Sequence, residues 1–222
     1  MADALHTAFA RRIVPVITID GVEEAETSGR ALLDGGLPVA EVTLRTPGAL
    51  AALRRLVEEP ALLVGAGTVL APEQVEVAAD AGARYLVPPG LLDTIADRSQ
   101  QVGVPLLPGA VTATEAMRAR ERGFRTVKFF PAGTSGGPAA IAALAAPLHD
   151  LRFVPTGGVS QANLGEYLGL DAVPAAGGSW MVPRNLLATG DVAQLTRLVA
   201  EAVELARQPR RRQSQPHGVS LE

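Results

Sequence analysis

One pattern recurs along this chain and limits its fold more than any single residue does. A short apolar strand leads into a turn carrying Gly or Pro, then an Ala/Leu-rich helix, then another turn. The pattern predicts strands near 13–18, 39–44, 62–67, 85–88, 104–108, 126–130, 152–155 and 172–176. Helices are expected near 22–35, 48–59, 72–81, 91–102, 112–122, 137–146, 160–168 and 191–207. Strands that alternate with helices must run parallel, because a parallel pair needs a crossover long enough to hold a helix. Eight such units predict a single-domain α/β protein, a closed (β/α)8 TIM barrel over residues 1–207, with a short amphipathic helix over 2–11 leading into it. The competing architecture is a doubly wound open sheet, and no G-x-G-x-x-G follows the first strand to support it.

Local signals agree with the units. Thr46-Pro47, Pro72, Thr112 and Ser160 are candidate caps or first-turn prolines. Gly35-Gly36, Gly82, Gly103 and Gly123 stand where helices should end. From about Gln208 the chain turns polar, charged and proline-bounded, so 208–222 is expected to be a disordered tail, with Leu221-Glu222 open to being an appended remnant.

Composition narrows the function classes. Hydrophobic residues make up 47% of the chain but aromatics only 4%, so the core must be built from Ala, Val and Leu. A net charge of −3 argues against a nucleic-acid partner held by phosphate neutralisation. The chain has no cysteine, which excludes disulfides and thiolate metal sites. Its three histidines, His6, His149 and His217, form no helix-spaced pair. Neither a histidine metal site nor a Ser-His-Asp triad is expected. No apolar run reaches membrane-spanning length and no signal-peptide pattern opens the chain, so a cytoplasmic protein without a membrane partner is expected.

In a barrel of this kind, functional residues gather at the C-terminal ends of the strands. The sixth predicted strand contains Lys128, the single lysine among twenty basic residues. A buried ammonium is costly unless paired, and burial favours the neutral amine. Lysine can supply such an amine to a carbonyl carbon where arginine cannot. The alternative is a structural lysine reaching from a strand end to solvent. Strand parity decides between the two. The outer face of a barrel strand packs on apolar helices, so Val127 and Phe129 point out while Lys128 and Phe130 point in. On the second strand the same rule turns Val42 and Leu44 outward and Glu41, Thr43 and Arg45 inward. A carboxylate, a guanidinium and an amine inside one barrel form a cluster of the kind found at sites, although a Glu–Arg pair that only specifies the fold is the rival reading.

Further signals lie at the other strand ends. Gly65-Ala66-Gly67-Thr68 ends the third strand in small residues that permit close approach, with a hydroxyl at the exit. Val87-Pro88-Pro89-Gly90 and Leu107-Pro108-Gly109-Ala110 are rigid exits at the same end. Thr156-Gly157-Gly158 and Gly177-Gly178-Ser179 follow the last two strands and expose backbone N–H groups, an anion site by geometry. An amine nucleophile, an internal carboxylate, an internal guanidinium and an anion site together predict Schiff-base carbon–carbon bond chemistry on a phosphorylated 2-keto acid.

These motifs resemble a known family. Glu41-Val42-Thr43-Leu44-Arg45-Thr46, Gly65-Ala66-Gly67-Thr68-Val69, Val127-Lys128-Phe129-Phe130-Pro131-Ala132, Pro155-Thr156-Gly157-Gly158 and Gly177-Gly178-Ser179-Trp180 are similar, in order and spacing, to the 2-keto-3-deoxy-6-phosphogluconate (KDPG) and 4-hydroxy-2-oxoglutarate (KHG) aldolases. The likeness spans about residues 9–207. It implies a homotrimeric barrel, a class I aldolase of the Entner–Doudoroff pathway that releases pyruvate and glyceraldehyde 3-phosphate without metal or cofactor. By the same resemblance Lys128 forms the imine and Glu41 is the general acid/base. Arg45 and Thr68 hold the pyruvate carboxylate, Thr156, Gly157, Gly158, Gly178 and Ser179 line the phosphate site, and Phe130 and Pro89 are cleft walls. The Thr-Leu-Arg run favours the gluconate over the 6-phosphogalactonate branch. Pro88 and Ala110-Val111 depart from the small polar residues expected there. Two rivals stand beside this reading: a phosphosugar isomerase or epimerase using Glu41 as base, and a non-catalytic oligomeric scaffold that kept the barrel.

Overall fold

The computed structural model describes residues 2–208, so the predicted tail over 208–222 lies, from Pro209 on, outside the described residues. The strands are β1 (Ile13–Ile17), β2 (Val39–Thr43), β3 (Leu63–Gly67), β4 (Leu86–Val87), β5 (Thr126–Phe129), β6 (Arg152–Pro155) and β7 (Ala176–Gly178). All paired strands run parallel, in the order β4-β3-β2-β1-β7, with β5 and β6 forming a separate pair. Two short connections join these sheets into a closed barrel. Thr156 bridges Gly177 between β6 and β7. Between β4 and β5, the stretch predicted as a strand over 104–108 bridges Leu86 through Leu106, and Gly109 just beyond it bridges Lys128. This stave accepts from Leu86 N–H at Pro105 O (2.9 Å) and from Lys128 N–H at Pro108 O (2.8 Å). It is not a regular strand because Pro105 and Pro108 have no N–H to give to either neighbour. The last strand also begins later than the sequence suggests: Val173 N–H turns back to Leu170 O, Pro174 follows, and pairing starts at Ala176.

Helices follow the predicted units: α1 (Ala2–Phe9), α2 (Val22–Asp34), α3 (Ala49–Val57), α4 (Pro72–Asp80), α5 (Asp93–Val102), α6 (Ala113–Glu121), α7 (Gly137–Ala145), α8 (Leu164–Leu168) and α10 (Val192–Arg207). A short α9 (Arg184–Thr189) was not anticipated. Thr112 is a true cap: it accepts from Glu115 N–H, and the Glu115 carboxylate accepts in return from Thr112 N–H at 2.8 Å. Pro72 occupies the first turn of α4 as expected. Two expected caps act differently. Thr46 donates its hydroxyl to Ile19 O instead of capping α3. Ser160 lies ahead of α8, where the Asn163 carboxamide accepts from Ser160 N–H at 2.8 Å.

The core matches the composition. Val42, Val127, Phe129 and Phe153 are fully buried on the outer face of the barrel. Phe129 and Phe153 meet edge to face, centroids 6.5 Å apart, a favoured aromatic geometry. No helix among the described residues is long and apolar enough to cross a membrane.

Candidate active site

Register places the interior. Val16 lies beside Glu41 and Glu41 beside Gly65, while Lys128 lies beside Val154. Parallel partners at one level share a face, so Glu41 and Lys128 project into one interior from different strands. Their side chains meet: Lys128 Nζ donates to Glu41 Oε1 at 3.0 Å. With relative exposures of 4% and 3%, the two residues form a buried ion pair. Every other ion pair given by the described side chains is substantially solvated and contributes little. A buried pair seldom adds net stability over apolar packing, so its presence here points to chemistry.

The environment of Glu41 is shaped by missing side chains. A Cβ on Gly67 would fall 2.3 Å from Glu41 Oε1, so the carboxylate occupies the space that a larger residue would fill. Two residues earlier, a Cβ on Gly65 would fall 2.3 Å from the Tyr85 ring. The close approach anticipated at Gly65 and Gly67 is therefore made by two side chains of the protein itself. Tyr85 escaped the sequence reading. Its phenol is buried and donates to Ala40 O at 2.8 Å. Burial first, and the Glu41 charge second, push its ionisation well above the ordinary 10.0. The sequence carries a signal for it: glycines at alternate positions of β3 mark a strand face without side chains, and the next predicted strand, 85–88, begins with one of two tyrosines.

Thr43 is buried as parity requires, donating to Ile17 O at 3.1 Å and facing the Thr18 hydroxyl at 3.0 Å. Arg45 is a correction. Pairing of β2 ends at Thr43, the chain turns, and Arg45 emerges exposed at the mouth instead of inside the barrel. There its Nε donates to Thr68 Oγ1 at 2.9 Å. Thr68 has a φ of 59°, left-handed for a β-branched residue. Such a conformation is costly and persists where the surroundings impose it. Its N–H donates to Val87 O at 2.9 Å, which fixes the hydroxyl at the strand exit.

The remaining predicted residues gather around this centre through specific contacts. Lys128 Nζ lies 5.3 Å from the Phe130 ring centroid. A Cβ on Gly157 would fall 3.1 Å from that same ring, so Phe130 separates the amine from the glycine pair. Gly157 and Gly158 have φ values of 85° and 82°, which only glycine adopts readily. Gly157 follows the Thr156–Gly177 bridge, and among the described residues the N–H groups of Gly158 and Ser179 make no backbone hydrogen bond outside the strand ladders. Asn163 holds this loop, its Nδ2 donating to Gly158 O at 2.9 Å. Thr156 is buried, its hydroxyl lying where a Cβ on Gly177 would project. Gly178 leaves room for the Trp180 ring, which folds back to within 1.8 Å of where a Cβ would stand. Pro89 closes another side: its carbonyl abuts Gly109, which is bridged to Lys128. The loop of Gly133 to Gly137 is bonded to the glycine pair through Gly133 N–H to Gly157 O, at 2.8 Å.

A family profile, KDPG and KHG aldolase, matches residues 5–198. The chain belongs to the KDPG/KHG aldolase family. A curated relative, 2-dehydro-3-deoxy-phosphogluconate aldolase of Pseudomonas aeruginosa, is 48% identical over 201 residues, covering 90% of this chain and 91% of its own. Among solved structures, the 2-keto-3-deoxy-6-phosphogluconate aldolase of Zymomonas mobilis ZM4 with 3-phosphoglycerate superposes with a TM-score of 0.87. It is 36% identical, covering 92% of this chain and 97% of that one. The KDPG aldolase of Legionella pneumophila, with pyruvate captured as a covalent carbinolamine, superposes with a TM-score of 0.85. It is 38% identical, covering 88% and 96%. In this chain the departing residues Pro88 and Ala110 are buried. Ala110 N–H donates to Lys128 O at 2.9 Å, so it stands beside the backbone of Lys128.

Proposed function

We propose that the protein cleaves 2-dehydro-3-deoxy-6-phosphogluconate to pyruvate and glyceraldehyde 3-phosphate as a class I aldolase. The observation that carries this reading is the buried Lys128–Glu41 pair, 3.0 Å from Nζ to Oε1. An aldolase of this class needs a neutral amine and a proton acceptor beside it. Glu41 takes the ammonium proton, and Nζ attacks the C2 carbonyl to form a carbinolamine. Glu41 returns that proton to the carbinolamine hydroxyl, which leaves as water and gives the iminium, into which the C3–C4 bonding electrons flow. Glu41, acting through water, removes the C4 hydroxyl proton as that bond breaks and glyceraldehyde 3-phosphate departs. The enamine left on Lys128 is protonated at C3, and hydrolysis of the resulting imine releases pyruvate and restores the amine.

Substrate binding follows the charges. Arg45, oriented by Thr68 at the mouth, pairs with the keto-acid carboxylate. The N–H groups of Gly157, Gly158 and Ser179, with Gly178 and Thr156 beside them, hold the phosphate. Phe130 and Pro89 wall the cleft between the two anionic ends. An epimerase using Glu41 alone would have no use for a buried lysine paired to its base, and a scaffold would have use for neither. Family resemblance supports a homotrimer in the cytoplasm, which light scattering of the purified protein tests.

The deciding assay couples pyruvate formed from 2-dehydro-3-deoxy-6-phosphogluconate to NADH oxidation by lactate dehydrogenase. Turnover is expected with wild-type protein and abolished by Lys128→Arg; wild-type protein that forms no pyruvate yet converts a phosphosugar with Lys128→Arg as well as without it would favour the epimerase.

A further inference from the structure

The active site lies at the C-terminal ends of the strands, but a cavity of about 800 Å³ opens at the opposite end. Its walls come from α1, from α5 and from the residues that lead into the strands, and they are largely apolar: Leu5, Phe9, Val104, Leu106, Phe124 and Pro174. The size is that of an ordinary small-molecule site. Among the described residues that line it there is no carboxylate, whereas Arg122, Arg125 and Arg152 all do.

The three arginines differ in what they already hold. Arg122 is taken by Asp93 and Asp97. Arg125 donates only to the carbonyls of Arg120 and Phe124, at 3.3 Å each. The carboxylate that feels its charge, Asp150, is held by Arg120 Nε through both oxygens at 2.8 Å. Arg152 forms no ion pair among the described residues. Arg125 and Arg152 are also neighbours, since Arg152 N–H donates to Arg125 O at 2.9 Å and Arg152 registers with Thr126. Adjacent like charges on neighbouring strands repel, and arginine is suited to pair in a planar, two-pronged way with an oxyanion.

We infer that this lower cavity binds an organic anion with an apolar body, its charged end held by Arg125 and Arg152 and its body against Phe9, Leu106 and Phe124. The ligand class follows from the combination: apolar walls alone would take a neutral molecule, and two exposed arginines alone would take inorganic phosphate. The site is separate from the aldolase centre and does not depend on the reaction assigned to it.

Binding of decanoate to the full chain, followed by its displacement of 8-anilinonaphthalene-1-sulfonate fluorescence, tests the inference. Wild-type protein is expected to bind both probes saturably and in mutual competition, with inorganic phosphate a poor competitor. An Arg125→Gln/Arg152→Gln double variant should bind at least about tenfold more weakly, with aldolase turnover unchanged. Protein trapped with pyruvate and borohydride should bind decanoate as before. Absence of saturable binding, as when a second copy of the chain covers this face, would overturn the proposal. So would unchanged affinity in the double variant, or loss of binding in the trapped protein.

Discussion

Gly67 has no side chain where the carboxylate of Glu41 lies, and a Cβ there would stand 2.3 Å from Oε1 and 2.8 Å from Cγ. Two strands therefore share one volume, β3 yielding it and β2 filling it. A Gly67→Ala substitution must move the carboxylate, and a displacement on the order of an ångström at a reacting group can cost about a hundredfold in rate. Steady-state kinetics should show the loss in kcat, with KM changed far less because Arg45 and Thr68 stay in place. A kcat within about twofold of wild type would show that the slot does not position the base.

Glu41→Gln keeps the shape and removes the base. Loss of a general base is worth about 10²- to 10⁴-fold, and kcat should fall within that range. Because Lys128 remains, pyruvate and borohydride should still label the variant, more slowly than wild type. Rates of labelling and turnover, measured on the same preparation, separate the two roles.

Gly178→Ala places a methyl group against the ring of Trp180, the chain's single tryptophan. The ring must shift, and its fluorescence should report the shift directly. Displacement of the neighbouring Ser179 N–H should weaken the hydrogen bond proposed from it to phosphate, a charge-assisted contact worth about 1.5–3 kcal/mol. KM for the phosphorylated substrate should therefore rise about tenfold or more, while pyruvate labelling of Lys128 is unaffected.

At the start of α6, Thr112 and Glu115 cap one another. Thr112→Ala should cost about 1 kcal/mol, read as a lowered melting temperature. The acceptor bond from Val111 N–H, foremost, holds the Glu115 carboxyl below its ordinary 4.5. A group depressed in the folded state contributes stability above its unfolded pKa and loses it as pH falls through the folded value. Wild type should lose melting temperature more steeply than Glu115→Gln below about pH 4.5, and the two curves should run parallel above about pH 6.

The sequence carried much of this because two periodicities are hard to disguise. Alternation of strand and helix required a parallel sheet, eight units pointed to its closure as a barrel, and alternation within the strands at Glu41 and Lys128 turned both inward. What escaped depended on partners distant in sequence. Arg45 follows the parity of β2 only while pairing lasts, and pairing stops at Thr43. Gly65 and Gly67 announced room without saying that Tyr85 and Glu41 would fill it. Pro105 and Pro108 sit in an apolar run that looks like a strand, but two missing donors reduce it to isolated bridges. Asn163, not Ser160, presents its side chain to the loop after β6, a choice made by the turn rather than by residue preference.

The central claim is that Lys128 forms a covalent imine with a 2-keto acid, and reductive trapping tests it most directly. Protein incubated with pyruvate and sodium borohydride should gain the mass of one reduced pyruvyl group. Peptide mapping should place it on Lys128 Nζ, and Lys128→Arg should remain unlabelled. Wild-type protein that turns over substrate yet acquires no adduct at Lys128 would contradict the account.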